Sequence, residues 1–243
     1  MAVTFVAAST IGSVAANPPS FNLTLPTLEA NDIIIIAVMS KNIVEASNEI
    51  NTPSGYTEKG TKTEVDSGTA ADDMRTAMFY KRAVGGDSGA SVTISRAGTD
   101  VLGLYAVATV WRGAAKSGDP FGTTGITIQG SATAGDIIGF AAHDPAETDV
   151  HVIHDGWKAD DTTTALASFV NDTTTFDVRD DQETITGTDA THGAWSADRT
   201  GAPLAAINVD CIGTDGSYIG YVYALLPEPI GIPSVVVAPY RPT

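Results

Sequence analysis

Residues 29–40 read EANDIIIIAVMS, an acidic, turn-like lead-in followed by four consecutive isoleucines and further apolar residues. A membrane-spanning helix needs about 20 apolar residues, so this run is too short to cross a bilayer. Its β-branched residues favour a strand, and the lack of alternation favours one that is covered on both faces. We therefore predict a central strand over Ile33–Ser40. Asp32 is expected to close the preceding turn by bonding backbone amides rather than to act in catalysis.

The composition of the whole chain also favours strands. Of its 243 residues 43% are hydrophobic and 17% are charged, which permits a substantial core and excludes a disordered chain. Short apolar stretches alternate with polar turns, a pattern typical of a sandwich or jelly-roll. The fold class expected is an all-β, antiparallel, jelly-roll-like sandwich, with one short helix around Asp161–Asn171. The predicted strands are Val3–Ala7, Ser20–Leu25, Ile33–Ser40, Tyr56–Lys62, Arg75–Ala83, Ser91–Ser95, Tyr105–Arg112, Gly125–Gln129, Ile137–Ala142, Val150–Asp155, Ala206–Ile212 and Tyr218–Leu226.

Two segments share one plan, an alternating strand, a small-polar turn ending in Asp, and then an apolar strand. They read LTLPTLEANDIIIIAVM and ITIQGSATAGDIIGFAA, and they give Asp32 and Asp136 corresponding places. The similarity suggests that the sandwich domain, residues 1–229, consists of two related halves, about 1–115 and 116–229.

The last residues, 230–243, differ in composition from the rest of the chain. The segment PEPIGIPSVVVAPYRPT carries five of the twelve prolines, too many for a central strand. We predict an extended, Pro-rich C-terminal arm whose apolar side chains need a surface to lie on. The expected partner-contact residues are Ile230, Ile232, Val235, Val236, Val237 and Tyr240.

The charge of the chain excludes several classes of partner. The formal net charge is −16, from 13 basic and 29 acidic side chains, so a nucleic-acid partner and an anionic membrane surface are both excluded. No Lys or Arg precedes Lys41, and we expect no signal peptide. The single cysteine, Cys211, lies in an alternating apolar stretch and is interpreted as a buried small side chain.

Three kinds of sequence pattern bear on whether the chain has a metal, catalytic or nucleotide site. His151 and His154 form HVIH, but on a strand this spacing points the rings to opposite faces, so no metal site is predicted. GDSG around Ser88 matches a tetrapeptide of trypsin-like proteases, yet no histidine precedes it, and a hairpin turn is the interpretation. No nucleotide-binding glycine motif occurs, and we predict no cofactor and no catalytic residue.

Two acidic stretches and two tryptophans supply an alternative. DGWKADDTT and VRDDQE are interpreted as solvated loops, with glycoside hydrolysis or calcium binding as weaker options. Trp157 and Trp195 lie in Asp- and Gly-rich, loop-like surroundings. Exposed Trp beside carboxylates can stack on and bond to sugars, so Trp157, Trp195 and Asp155 are the candidate glycan contacts.

Several short segments together resemble a group of bacteriophage virion proteins. They are an Asp-Ile-Ile strand, TPSGYTEKG, MFYKRAVGGDSGASVTIS, AVATVWRGA and a terminal YIGYVYALLPEP, and they cover mainly residues 20–115 and the closing strand. The resemblance implies a β-sandwich or jelly-roll module of a phage head or tail.

The function expected from the resemblance is structural and non-enzymatic. The leading hypothesis is a capsid decoration, or cement, protein on the virion exterior, contacting the major capsid protein or other virion subunits and forming a homo-oligomer. A receptor- or carbohydrate-binding module of a tail or baseplate is the alternative.

Overall fold

The structure is a computed structural model of the chain. It describes residues 2–14, 20–41, 49–65, 74–98, 103–134, 137–145, 147, 150–159, 169–171, 174–183, 190–199, 205–210 and 216–229.

The described residues form strands and no helix. In chain order the strands are β1 Thr4–Ala8, β2 Gly12–Val14, β3 Ser20–Thr24, β4 Ile33–Lys41, β5 Thr57–Val65, β6 Met74–Arg82, β7 Ser91–Ser95, β8 Gly103–Arg112, β9 Phe121–Ala134, β10 Ile137–Phe140, β11 Val150–Ala159, β12 Phe169–Asn171, β13 Thr174–Glu183, β14 Ala190–Arg199, β15 Ile207–Asp210 and β16 Gly216–Leu225.

Two large antiparallel sheets face each other. The first has the order β1-β8-β4-β6-β5, with β2 also paired to β8, and the second has the order β12-β13-β14-β11-β16-β9. Strand β5 packs on β9, β4 on β11 and β1 on β13. The two sheets therefore stack face to face, with each strand lying over the strand at the corresponding position of the other sheet. The predicted all-β, antiparallel sandwich is confirmed, and the jelly-roll connectivity stays a prediction.

The space between the sheets holds the main hydrophobic core. From the first sheet, Ile33, Ile35 and Trp111 point into it, and from the second sheet Trp157 and Tyr221 do so. All of these side chains are buried. Alternate residues of each strand face this layer, as the period of two requires.

The other face of β4 is covered as well. Ile34, Ile36 and Val38 pack in a second cluster with Leu23 of β3 and Ile94 of β7. Strands β3 and β7 pair with each other as a small separate sheet. All nine residues of β4 are buried, so the prediction of a strand covered on both faces is confirmed.

The second sheet has a similar cover on its outer face. Strands β10 and β15 pair with each other. Ile138 and Phe140 of β10 pack against Val152 of β11 and Val222 of β16. Each large sheet therefore carries a two-stranded layer on its outer face.

All twelve predicted strands are present, with ends that differ by a few residues. The predicted helix is wrong at its C-terminal end, where Phe169–Asn171 forms β12; residues 161–168 lie outside the described part. Strands β2, β12, β13 and β14 were not predicted.

Strands β1–β8 build one large sheet with its cover and β9–β16 build the other, whereas the two predicted halves, about 1–115 and 116–229, stay a prediction. The repeated sequence plan does not give repeated positions, however. Strand β4 is the centre of the first sheet, whereas β10 belongs to a two-stranded cover. Asp136 lies outside the described residues, and common ancestry of the halves stays a prediction.

Truncation of β4 tests the double covering. Ile34→Ala and Ile35→Ala each remove a fully buried side chain from opposite faces, and each should lower the free energy of unfolding by about 2–5 kcal/mol. The control Val84→Ala, at a side chain that is 58% exposed, should change it by less than about 0.5 kcal/mol. Urea denaturation measures all three. If Ile34→Ala lowers the free energy of unfolding no more than Val84→Ala does, the packing of Ile34 in the outer cluster is refuted.

Candidate functional site

One end of the sandwich is organised by the turn that precedes β4. The backbone N–H of Glu29 donates to Asp32 Oδ2 at 2.8 Å, and Asn31 adopts a left-handed conformation with φ of 74°. Asn tolerates this region better than most residues because its short polar side chain bonds locally. Asp32 itself is 2% exposed. The prediction that Asp32 closes this turn is confirmed.

Arg112, at the end of β8, pairs with the same carboxylate. Its Nε donates to Asp32 Oδ1 and its Nη2 to Asp32 Oδ2, both at 2.9 Å. Its Nη1 lies 3.0 Å from Glu29 Oε1. The hydrogen bonds to Asp32 raise the pKa of Arg112 above its usual value. This bidentate pairing ties the start of β4 to the end of β8.

The first and last described segments of the chain meet at this end. Gly113 has φ of +86°, and a Cβ there would lie 2.3 Å from the carbonyl oxygen of Ala2, so only glycine fits. On the C-terminal side, Glu228 N donates to Gly113 O at 2.7 Å. Ala114 forms a β-bridge with Pro227. We call this region, formed by Ala2, Asp32, Arg112–Ala114 and Glu228, the Arg112 end.

A pocket of about 250 Å³ opens at the Arg112 end. Its charged side chains are three carboxylates and two cations. They belong to Glu29, Asp32, Glu228, Arg112 and Lys116. Arg112 is held by the carboxylates of Asp32 and Glu29, and the backbone N–H of Lys116 donates to Glu228 Oε2 at 2.6 Å. The pocket is thus a mixed-charge surface suited to polar contacts.

The predicted contact residues of the arm, Ile230, Ile232, Val235, Val236, Val237 and Tyr240, lie outside the described part of the chain. Its point of departure is nevertheless fixed: Leu226 N donates to Pro120 O and Ala115 N to Leu226 O, both at 2.8 Å. We call Leu226–Glu228 the arm root.

A separate charged cluster is buried between the two sheets. His192 of β14 lies between two carboxylates, with Nδ1 2.6 Å from Asp180 Oδ2 and Nε2 3.0 Å from Asp155 Oδ1. Tyr223 Oη donates to Asp155 Oδ2 at 3.5 Å. The Trp157 ring lies 4.6 Å from the His192 ring. The strands β11, β13 and β14 are neighbours, and their register places these side chains on one face.

His192 acts as a buried cation in this cluster. Burial alone would lower its pKa, but Asp155 and Asp180 overcome this effect and raise the pKa to about 10. The imidazole and Asp155 are fully buried, and each ring nitrogen already faces its own carboxylate. Because the nitrogens point in different directions, the three groups do not converge on one point. The described residues contain no group of His, Cys, Asp or Glu arranged to hold a metal ion.

Several sequence interpretations are corrected here. Trp157 and Trp195 were predicted in loops and, with Asp155, as glycan contacts, but all three residues lie in strands. Trp157 and Asp155 are fully buried in the core, so neither presents a surface to a sugar. The segment VRDDQE is not a solvated loop, because it lies in β13 and its Asp180 is buried against His192.

Two other interpretations are confirmed. His151 packs on Trp111 of the facing sheet, with ring centroids 5.3 Å apart, whereas His154 packs on Phe140 of the outer cover at 5.0 Å. The rings of HVIH therefore point to opposite faces. The GDSG segment is a turn, in which Val84 N donates to Asp87 Oδ2 at 2.7 Å.

Sequence reasoning missed both Arg112 and His192. Arg112 belongs to the WRG segment noted for its resemblance, and that Arg-Gly pair at the end of an apolar strand was the available signal. His192 lies in ATHGAWSADR, which forms β14 although its small and polar residues are not typical of a buried strand. Nothing in the local pattern assigns it to Asp155 and Asp180, which are distant in sequence.

No protein-family model matches the chain, and no curated protein or solved structure shows significant similarity to it. In the described part of the chain, no helix is long and apolar enough to span a membrane.

Removal of the Asp32 carboxylate should destabilise the fold. Asp32→Ala removes one turn bond and the bidentate pair with Arg112, and we expect a loss of about 2–4 kcal/mol in the free energy of unfolding. The matched control Glu29→Ala removes only one exposed contact of the same guanidinium and should cost less than about 1 kcal/mol. Urea denaturation measures both variants. If they lose equal free energy of unfolding, the larger contribution assigned to Asp32 is refuted.

Titration of His192 tests the buried cluster. Its folded pKa of about 10 lies above the usual 6.5, so its stabilising contribution is full below about pH 6.5 and is lost as pH rises toward 10. In ¹⁵N NMR both ring nitrogens should remain protonated at pH 8. The alkaline fall in melting temperature should shrink in His192→Gln and persist in the control His143→Gln. A His192 ring that titrates at or below 6.5 would refute the assignment.

Proposed function

We propose that the protein is a non-enzymatic structural component of a bacteriophage virion, a decoration protein bound to the capsid exterior. In this role it contacts the major capsid protein or neighbouring virion subunits through its arm, residues 230–243, and its N-terminal strand. The resemblance of residues 20–115 and the closing strand to phage virion proteins supports the assignment.

The observation that carries the proposal is that the N-terminal residues and the arm root lie at the same end of the sandwich. Gly113 packs against the carbonyl of Ala2 on one side and accepts a bond from Glu228 N on the other. The N-terminal strand and the arm root are therefore held by the same two or three residues of β8 and its following turn. A subunit that binds this end engages both elements at once.

The arm root is also suited to pass a mechanical load to the sandwich. Leu226, Pro227 and Glu228 are tied to residues 113–120 by backbone bonds, and β16 before them lies between β11 and β9 within the second sheet. A pull on the arm is thereby shared with strands whose inward side chains form the main core.

The charge of the chain is consistent with exposure on a particle. A net charge of −16 opposes adhesion to nucleic acid and to other acidic surfaces. His192, whose pKa is raised to about 10, is enclosed in the core together with Asp155 and Asp180, where the three groups contribute to the fold.

Truncation of the arm tests the proposed function. A chain ending at Pro229 keeps every described strand and should retain its circular dichroism and melting temperature. Its binding to particles stripped of the protein should fall at least tenfold, because the apolar contacts of the arm are lost. The full-length variant Val236→Asp, which keeps the arm length, should also bind weakly. Wild-type binding by both, in a sedimentation assay, would refute the role of the arm.

A further inference from the structure

The outer cover of the second sheet, β10 with β15, is packed around a histidine. His154 of β11 is fully buried on the outer face of this sheet. Its ring meets the ring of Phe140 of β10 edge-on, with centroids 5.0 Å apart, and the ring of Phe176 of β13 at 4.7 Å. Burial among apolar groups disfavours the charged form of an imidazole. The cover therefore fits a neutral His154 ring.

The chain that follows β10 attaches this cover to the edge of the second sheet. We call its described residues, 141–145 and 147, the strap. The backbone N–H of Thr123 in β9 donates to Glu147 Oε1 at 2.7 Å, and Thr124 Oγ1 donates to the carbonyl oxygen of Asp144 at 2.8 Å. The strap is thus fixed to the first part of β9 by hydrogen bonds at two successive residues.

The strap contributes a second buried imidazole, that of His143. Its side chain belongs to a residue that is 1% exposed, and its Nδ1 shares a hydrogen bond of 2.8 Å with Thr127 Oγ1 of β9. The other ring nitrogen, Nε2, is buried and has no hydrogen-bond partner among the described residues. A proton added at Nε2 would therefore place a charged donor without a described acceptor inside the protein.

The charged groups that face the two rings do not compensate for burial. Burial lowers the pKa of His143 below its usual value of 6.5, although the carboxylates of Asp144 and Glu147 oppose this effect. Burial, with a smaller contribution from His143, lowers the pKa of His154 to about 3. Below about pH 6.5 the unfolded chain therefore binds protons that the closed cover refuses. The stability that the neutral rings contribute is full above about pH 6.5 and is lost as the pH falls.

The other layers of the protein do not share this response. Between the two large sheets, the pKa of His192 is raised to about 10, so the stability that its charge contributes is full below about pH 6.5. No histidine occurs in residues 1–142, which include the first sheet and its outer β3–β7 pair. Mild acid thus weakens the cover of the second sheet and the strap selectively.

We propose that the outer cover and the strap are an acid-released device, which leaves the second sheet in mild acid while the two large sheets stay folded. Protonation of His143 and His154 is the event that favours the open state. Opening would expose an apolar surface on the second sheet, where Val152 of β11 and Val222 of β16 pack against β10. The inference goes beyond the proposed function and does not depend on it.

Amide hydrogen exchange of the full-length chain tests this proposal. Exchange rates are measured by NMR at about pH 7.5 and pH 5, and each is divided by the rate of an unstructured chain at the same pH. The amide of Thr123, which bonds to the strap, and the amides of Ile137–Phe140 in β10 should lose protection by about tenfold or more at the lower pH. The amides of β4 should keep their protection.

Two substitutions remove the titrating rings. His154→Leu keeps an apolar side chain of similar size between Phe140 and Phe176, and His143→Gln keeps a hydrogen-bonding group toward Thr127. Each should reduce the acid-induced loss of protection, and the double variant should abolish it. The matched control is His151→Gln, on the opposite face of the same strand, which should respond to acid as the wild type does.

The outcomes that overturn the proposal are distinct. Equal protection of Thr123 and β10 at both pH values in the wild type would show that the cover does not open. A parallel loss in β4 would show global unfolding instead of local release. An acid response that persists in the double variant would remove the histidines as its cause. Should a variant fail to fold, ¹⁵N NMR of the wild-type rings decides, because a His154 ring that titrates at or above 6.5 in the folded chain would refute the device.

Discussion

The whole architecture depends on one constraint, that β4 must be covered on both faces. A run of four isoleucines exposes apolar side chains to both sides of any sheet, and each face left in water would cost several kcal/mol. The inner face is covered by the second sheet and the outer face by the β3–β7 pair. Neither cover alone would suffice. Because both covers must reach β4, it becomes the centre of the first sheet, and the remaining strands arrange outward from it.

The sequence predicted the fold best where apolar periodicity is strong. Strands such as β4, β8 and β16 are rich in Ile, Val and aromatic residues, and their burial could be read locally. The prediction failed in β13 and β14, which read as DVRDDQE and THGAWSADR. Asp180 and His192 of these strands are buried in one cluster with Asp155 of β11, so the three paired residues come from three different strands. Such pairing depends on tertiary contact and has no local signature.

The same distinction applies to the candidate site. The turn role of Asp32 could be predicted because its bond to the Glu29 amide is local, whereas its bidentate pairing with Arg112 joins residues 80 positions apart. The contact between the first described residues and Leu226–Glu228 depends on Gly113, whose positive φ becomes informative only when Ala2 is known to lie against it. The Asp-Ile-Ile and Trp-Arg-Gly segments thus have a physical explanation as fold determinants, because Asp32, Arg112 and Gly113 hold this end of the sandwich together.

The two edges that lie over each other in the sandwich, β5 and β9, differ in composition but share a backbone feature. Strand β5 carries four charged side chains, whereas β9 carries none over 14 residues. Both strands shift register against their neighbours, β5 once against β6 and β9 twice against β16. The side chains of Thr124 and Thr127 in β9 also bond to Asp144 O and His143 Nδ1. Register shifts interrupt the regular ladder that an added strand needs, so β9 limits strand addition without charged side chains.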